Sequence, residues 1–168
     1  MNRWTLTYEG FDPSAEPLRE ALCTLGNGYF ATRGAAPEAV AGDVHYPGTY
    51  VAGLYNRLVT DVAGRDIVNE DLVNVPNWLH LRFRTSEGAW FALEDAEIND
   101  YRQELDIRKG VLIRTFVFTD QEGRSTRVAQ RRLVHMGIPH VAGLPAPRCT
   151  RRSVPTGRRA EHNTAEKR

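Results

Sequence analysis

The chain has 168 residues, 41% of them hydrophobic and 9% aromatic, and a net charge of +1. That length and apolar content suit one domain with a core of ordinary size. The charge is uneven: residues 145–168 carry +5 and the remainder −4, and a mildly acidic body argues against nucleic acid as a partner.

Trp4, Leu6 and Tyr8 alternate with Thr5, Thr7 and Glu9, the period of a half-buried strand. Asp12-Pro13-Ser14 breaks it. Leu18, Leu22 and Leu25 then recur at i, i+4 and i+7. This predicts a short helix capped by Asp12 or Ser14, carrying Arg19 and Glu20 and stopped at Gly26. Gly26-Asn27-Gly28 tolerates positive φ and reads as a tight turn. A short aromatic strand follows and ends at Gly34.

Ala35 to Pro47 is a loop by composition, closed by the turn sequence Tyr46-Pro47-Gly48-Thr49. Thr49 to Tyr55 predicts a strand, and Asp61-Val62-Ala63-Gly64-Arg65 a hairpin turn. Glu70 to Trp78 has acids, asparagines, a proline and a tryptophan without a clean period, so it reads as a loop. Leu79, Leu81 and Phe83 alternate with His80, Arg82 and Arg84, the clearest strand pattern in the chain. Ser86-Glu87-Gly88 turns it into Trp90-Phe91-Ala92-Leu93. Asp95 to Asp106 is polar with weak periodicity.

Leu112 to Phe118 predicts a strand that is apolar on both faces except at Arg114. Asp120-Gln121-Glu122-Gly123 is a turn. Ser125 to Met136 predicts a long strand, with Val128, Val134 and Met136 on one face and Arg127, Arg131 and His135 on the other. Hairpins at about ten-residue spacing imply an antiparallel all-β domain of sandwich type. From Pro145 the chain is rich in arginine and proline and lacks aromatic residues, Leu, Ile and Phe. It cannot offset its own ordering entropy and reads as a disordered basic tail. Such an abrupt change is what a truncated or frame-shifted gene produces; a tail that binds nucleic acid is the alternative.

Several pieces carry a family resemblance. They are Tyr8-Glu9-Gly10-Phe11, Arg19-Glu20-Ala21-Leu22, and the run Leu25-Gly26-Asn27-Gly28-Tyr29-Phe30-Ala31-Thr32-Arg33-Gly34. They continue with Tyr46-Pro47-Gly48-Thr49-Tyr50 and the stretch from Asn69 to Trp78. Tyr101-Arg102-Gln103-Glu104-Leu105-Asp106 and Arg131-Arg132-Leu133-Val134 complete them. In this order and spacing the chain resembles glycoside hydrolase family 65, which holds the maltose, trehalose and kojibiose phosphorylases and related trehalose hydrolases. The likeness covers residues 4 to about 143 and only the family's amino-terminal domain.

The resemblance implies an antiparallel, supersandwich-like β-sandwich over residues 1–144, incomplete, with one short helix and a disordered tail over 145–168. It also implies that the general acid is a glutamate of a later (α/α)6 barrel, where the phosphate-binding residues lie. No residue of this chain then takes a catalytic role, and the chain alone should not turn over substrate. The parent enzyme would hydrolyse or phosphorolyse an α-linked glucose disaccharide such as trehalose or maltose. It would need no cofactor beyond inorganic phosphate as a co-substrate. The sandwich would pack on the barrel and support a homodimer.

The residues themselves are consistent with that expectation. Glu70, Asp71, Glu94, Asp95, Glu97 and Asp100 read as solvated surface acids. There is no G-x-S-x-G, H-E-x-x-H or GxxxxGK[ST]. His45, His80, His135, His140 and His162 show no metal-ligand spacing, so no metal site is expected. Cys23 and Cys149 lie far apart without CxxC and read as reduced thiols of a cytoplasmic protein. No apolar run approaches the ~18 residues of a membrane span, and no secretory signal opens the chain.

Asn74, Asn77 and Trp78 are the sugar-binding residue types: amides pair with hydroxyls and an indole stacks on a pyranose. Asn77 and Trp78 are therefore the expected substrate-adjacent pair, with Glu70 a lesser candidate. The alternative is a core or domain-interface tryptophan beside a turn shaped by Pro76. Arg33 reads as structural. A stand-alone carbohydrate-binding or interaction module remains the second functional reading. An incomplete sandwich would also expose edges and an apolar face, so poor solubility is expected.

Overall fold

The structure is a computed structural model that describes residues 3–84, 89–93, 95–120 and 123–152, with side chains as far as Thr150. The expected turn at Ser86-Glu87-Gly88, the acid Glu94, His162 and the tail from residue 153 lie outside the described residues.

In chain order the elements are β1 (Thr5–Glu9), α1 (Glu16–Leu22), β2 (Leu25–Gly26), β3 (Phe30–Thr32), β4 (Thr49–Val51), β5 (Tyr55–Val62) and β6 (Arg65–Leu72). Then follow β7 (Glu97–Asp106), β8 (Val111–Thr119), β9 (Ser125–Val134), β10 (Ala142–Gly143) and β11 (Arg148–Arg152). Every ladder among the described residues is antiparallel. One sheet has the order β1-β7-β8-β9-β10, with β11 also on β9; a second has β2-β3-β4; β5 and β6 form a separate hairpin. The fold is an antiparallel β-sandwich with one short helix.

The inner face of the large sheet carries two apolar clusters. At one end Tyr101, Phe116, Phe118 and Val128 meet Phe91, Leu93, Ala36 and Ala39. Phe83 stacks on Phe91 with ring centroids 4.7 Å apart. At the other end Leu105, Leu112 and Val134 meet Cys23, Leu25 and the partly buried Phe30 of the small sheet. Each fully buried aromatic or aliphatic side chain here contributes about 1.5–3 kcal/mol.

Several local expectations change. The helix is reversed: Leu18 and Leu22 are 62% and 51% exposed, while Glu16 and Glu20 are buried. Its N-cap is Ala15 without a side-chain cap, and Asp12 instead accepts from the backbone N and Oγ of Ser14. Gly26 sits in β2 rather than ending the helix, whose C-cap is Cys23.

Leu79–Arg84 keeps its alternating burial but, among the described residues, forms no ladder beyond a single Arg84–Trp90 bridge. Its backbone is held instead by contacts such as Leu81 N donating to Pro37 O. The polar run 97–106 is a ten-residue strand, β7. A bulge between Asn99 and Arg102, with Asp100 at φ 50°, shifts its phase by one residue and hides its period. Glu70–Leu72, read as loop, belongs to β6. Within the segment read as tail, Arg148–Arg152 pair with Ser125–Ala129 as β11.

Candidate functional site

Residues 34–39 are buried although they belong to no sheet. Buried backbone off a ladder needs polar partners, and the large sheet supplies them. Arg132 on β9 donates from Nη1 to Arg33 O at 2.7 Å and from Nη2 to Ala35 O at 2.5 Å. Arg114 on β8 donates from Nη2 to Glu38 Oε1 at 2.5 Å and from Nη1 to Gln130 Oε1 at 2.9 Å. Arg114 also lies over the Phe116 ring, 4.5 Å from its centroid.

Burial alone would lift the Glu38 carboxyl, but the adjacent Arg114 charge outweighs it and holds the pKa below the ordinary value. Burial lowers Arg132, helped by the like charge of Arg114, to about 10. Burial raises the Tyr101 phenol to about 12.

Helix α1 closes the same layer. His45 Nδ1 donates to Glu20 Oε1 at 2.7 Å, and Tyr46 N donates to Glu20 Oε2 at 2.9 Å. Glu16 accepts from Arg19 at 3.3 Å, and burial pushes its carboxyl up. Glu16, Glu20 and His45 thus bring ligand-type atoms within 4.8 Å of one another, all in buried residues. The histidine spacing along the chain had not suggested this group. Both oxygens of Glu20 already serve to tie the 45–46 segment to the helix, and all three residues of the trio are buried. Paired carboxylates that cleave glycosidic bonds must flank an accessible bond, and these do not.

Among the described residues an open cleft of about 600 Å³ lies between the 39–41 segment and residues 74–80. Asn74 and Asn77 line it with Pro47, Pro76 and His80. Asn74 is spent on structure: its Oδ1 accepts from Thr49 N at 2.9 Å and its Nδ2 donates to Pro47 O at 3.3 Å. Asn77 Oδ1 accepts from Leu79 N at 3.0 Å, and its Nδ2 makes no hydrogen bond among the described residues.

Trp78 is half-buried against Phe30, with centroids 6.0 Å apart. Its buried Nε1 has no partner among the described residues. Glu70 is elsewhere: it sits on the exposed β5–β6 hairpin and accepts from Arg57 Nε at 2.7 Å. The structure therefore brings Asn77 to the cleft wall with Trp78 next to it in sequence, and leaves Glu70 on the hairpin. Among the described residues no helix is long and apolar enough to cross a membrane. Both cysteines are free thiols, Cys23 buried and Cys149 exposed.

Comparison with known proteins adds an independent line. Residues 6–146 match the description "Glycosyl hydrolase family 65, N-terminal domain". The chain is 49% identical over 141 residues to an uncharacterized glycosyl hydrolase of Mycobacterium tuberculosis, covering 84% of this chain and 11% of that protein. It is 33% identical to a kojibiose phosphorylase of Caldanaerobacter subterraneus subsp. tengcongensis, covering 84% of this chain and 17% of the relative. Among solved structures, a putative kojibiose phosphorylase from the human microbiome superposes with a TM-score of 0.73 at 26% identity, over 83% of this chain and 19% of that one. The chain spans less than a fifth of the length of each of these proteins.

Proposed function

The chain belongs to glycosyl hydrolase family 65, and on that premise we propose that it is the non-catalytic amino-terminal sandwich of an enzyme that cleaves an α-glucosidic bond with phosphate or water. Residues 1–144 form the main part of the sandwich, and the basic segment that begins at residue 145 adds Arg148–Arg152 to its large sheet. The reacting glutamate lies outside these residues, and the chain works in a cytoplasmic setting as a scaffold for a catalytic barrel. The observation that carries this reading is the match to the amino-terminal domain description over residues 6–146.

The acids support it. Glu20 and Glu38 are buried and committed to His45 and Arg114. Glu70, Asp71, Asp95, Glu97 and Asp100 are exposed. Asn77 and Trp78 are the residues that would approach the sugar, with Glu70 in third place. An assay of the purified chain on trehalose, maltose and kojibiose, with and without phosphate, tests the reading. No turnover is expected, and clear turnover overturns it.

A second reading, a stand-alone carbohydrate-binding module, draws on the open cleft beside Asn77. Titration with α-glucosides, followed by tryptophan fluorescence, decides it. Binding lost in Trp78→Ala and Asn77→Ala with the fold intact favours the module. Silence at millimolar sugar removes it.

A further inference from the structure

The two apolar clusters on the inner face of the large sheet are separated by a polar row. Gln103 pairs with Arg114, and Arg114 with Gln130, across β7, β8 and β9. Tyr101, Phe116 and Val128 lie on one side of that row, and Leu105, Leu112 and Val134 on the other. Arg132 extends it by one step on the same face of β9. Gln103, Arg114, Gln130 and Arg132 are each at most 5% exposed. Gly34 and Pro37 help to enclose the row, and with these four they line a cavity of about 10 Å³. That is roughly the room one water-sized group needs.

The unpartnered atoms of this row are donors. Gln103 Nε2, Arg114 Nε and Arg132 Nε are buried and meet no acceptor among the described residues. The acceptors beside them are already engaged. Gln103 Oε1 accepts from Tyr101 OH at 2.9 Å, and Gln130 Oε1 from Arg114 Nη1 at 2.9 Å. The carbonyls of Arg33 and Ala35 accept from Arg132. Buried N–H groups left without an acceptor are costly. A water would serve them with its oxygen, but its own hydrogens would then need acceptors that are taken.

The charge of the row points the same way. Glu38 balances Arg114, whereas the guanidinium of Arg132 donates only to carbonyls among the described residues. Burial, helped by the like charge of Arg114, pulls Arg132 down to about 10, so it stays a cation at neutral pH. The neighbouring Cys23 does not supply a counter-charge. Burial pushes its thiol up, against the Gln103 amide and the Arg132 charge, and it stays protonated at neutral pH. One buried positive charge is left in excess.

We propose that the cavity between the two clusters binds a single monatomic anion, a halide such as chloride, held by Gln103 Nε2, Arg114 Nε and Arg132 Nε. An ion without hydrogens accepts from all three donors and cancels the excess charge. The space shuts out sulfate, phosphate and carboxylates. The ion fastens the 34–39 segment to the sheet through the two arginines that already hold it. The site is built from this chain's own buried residues and does not rest on the scaffold reading.

Thermal melts of the full chain in sodium gluconate, with chloride or bromide substituted at constant ionic strength, test this. Gluconate is too large for the cavity. Wild-type Tm should rise by several degrees with either halide and then level off, as one-site binding to the folded state requires. Arg132→Met should lose the rise. Because that change also removes the bonds to Arg33 and Ala35, Gln103→Glu is the second variant. Its carboxylate keeps an acceptor for Tyr101 OH and supplies the missing negative charge from within. It should melt at least as high as the wild type in gluconate and show no halide response. Chloride NMR gives a direct reading: the wild type should broaden the chloride line more than Gln103→Glu does, and bromide should reverse the excess. A wild-type Tm indifferent to halide, or a rise that never levels off and is shared by Gln103→Glu, overturns the proposal. So does equal broadening by the two chains, or a Gln103→Glu chain that melts below the wild type in gluconate.

Discussion

Arg114 and Glu38, 76 residues apart in sequence, form a salt bridge at 2.5 Å with side chains 6% and 0% exposed. One belongs to the central strand of the large sheet, the other to a buried segment without a ladder. Neither charge could be buried alone, so the pair holds the 34–39 segment over the sheet.

Removing one partner should therefore cost more than removing both. Arg114→Ala or Glu38→Ala leaves an unpaired buried charge and should destabilise by about 3–5 kcal/mol. Arg114→Met combined with Glu38→Leu should recover most of that loss. Urea denaturation of the three variants measures it, and equal costs for single and double changes would contradict the account.

Two buried glutamates should respond to pH in opposite directions. Burial raises Glu38, but Arg114 outweighs it and the folded pKa is lowered. Its contribution is present above the unfolded value of about 4.3 and is lost as pH falls through the folded one. Glu16 is raised by burial. Its contribution is full below about 4.3 and is lost as pH rises through the folded value. Melting curves between about pH 3 and 8 should show Glu38→Gln costing most at neutral pH, and Glu16→Gln costing more in acid than at neutral pH.

Asn27 pins the turn of the glycine-rich run to the far end of β9. Its Nδ2 donates to His135 O at 2.8 Å and Pro139 O at 3.1 Å, and its Oδ1 accepts from Tyr29 N and Phe30 N. Asn27→Ala should cost about 1–3 kcal/mol. Asn27→Asp keeps the acceptor but turns a carboxylate toward two carbonyl oxygens, so its loss should shrink as the pH is lowered. A pH-independent Asn27→Asp penalty would remove the donor role.

The glycines differ by what a methyl group would meet. At Gly34 a Cβ would lie 2.6 Å from Cys23 Cβ and 3.1 Å from Cys23 O, whereas at Gly42 nothing lies within 4 Å. Gly34→Ala should cost at least the 1–3 kcal/mol typical of overpacking, roughly speaking. Gly42→Ala should stay within about 0.5 kcal/mol. Thermal melts of the pair check both.

The outward helix face should tolerate polarity. Leu18→Lys and Leu22→Lys alter residues that are 62% and 51% exposed. Each should change stability by less than about 0.5 kcal/mol. A large loss would restore the leucines to the core.

Local pattern was enough for a good part of the sandwich. Alternation located β1 and β9, and a continuous apolar run located β8. The Ala63-Gly64 turn, with φ 55° and 78°, was legible as a hairpin because few residue pairs accept that geometry. Pattern failed where a long-range partner decides. The i, i+4 leucines of α1 promised a buried face, yet Glu20 faces inward because His45 and the Tyr46 backbone meet it there. Gln130 and Arg132 share the inner face with Val128 and Val134. That phase was visible, but the partners that make burial of Arg132 tolerable, the carbonyls of Arg33 and Ala35, were not.

The candidate site divides the same way. Asn77 and Trp78 were read from the sequence as sugar-type residues on a loop, while the cleft that Asn77 lines exists only once the 39–41 segment is placed against it. The amino-acid sequence by itself determined the antiparallel strand class and the family, because alternation, turn chemistry and ordered motifs are local properties. Only the tertiary structure decided which polar groups are buried and which apolar ones face water. A charge can be buried only where distant parts of the chain bring it a partner.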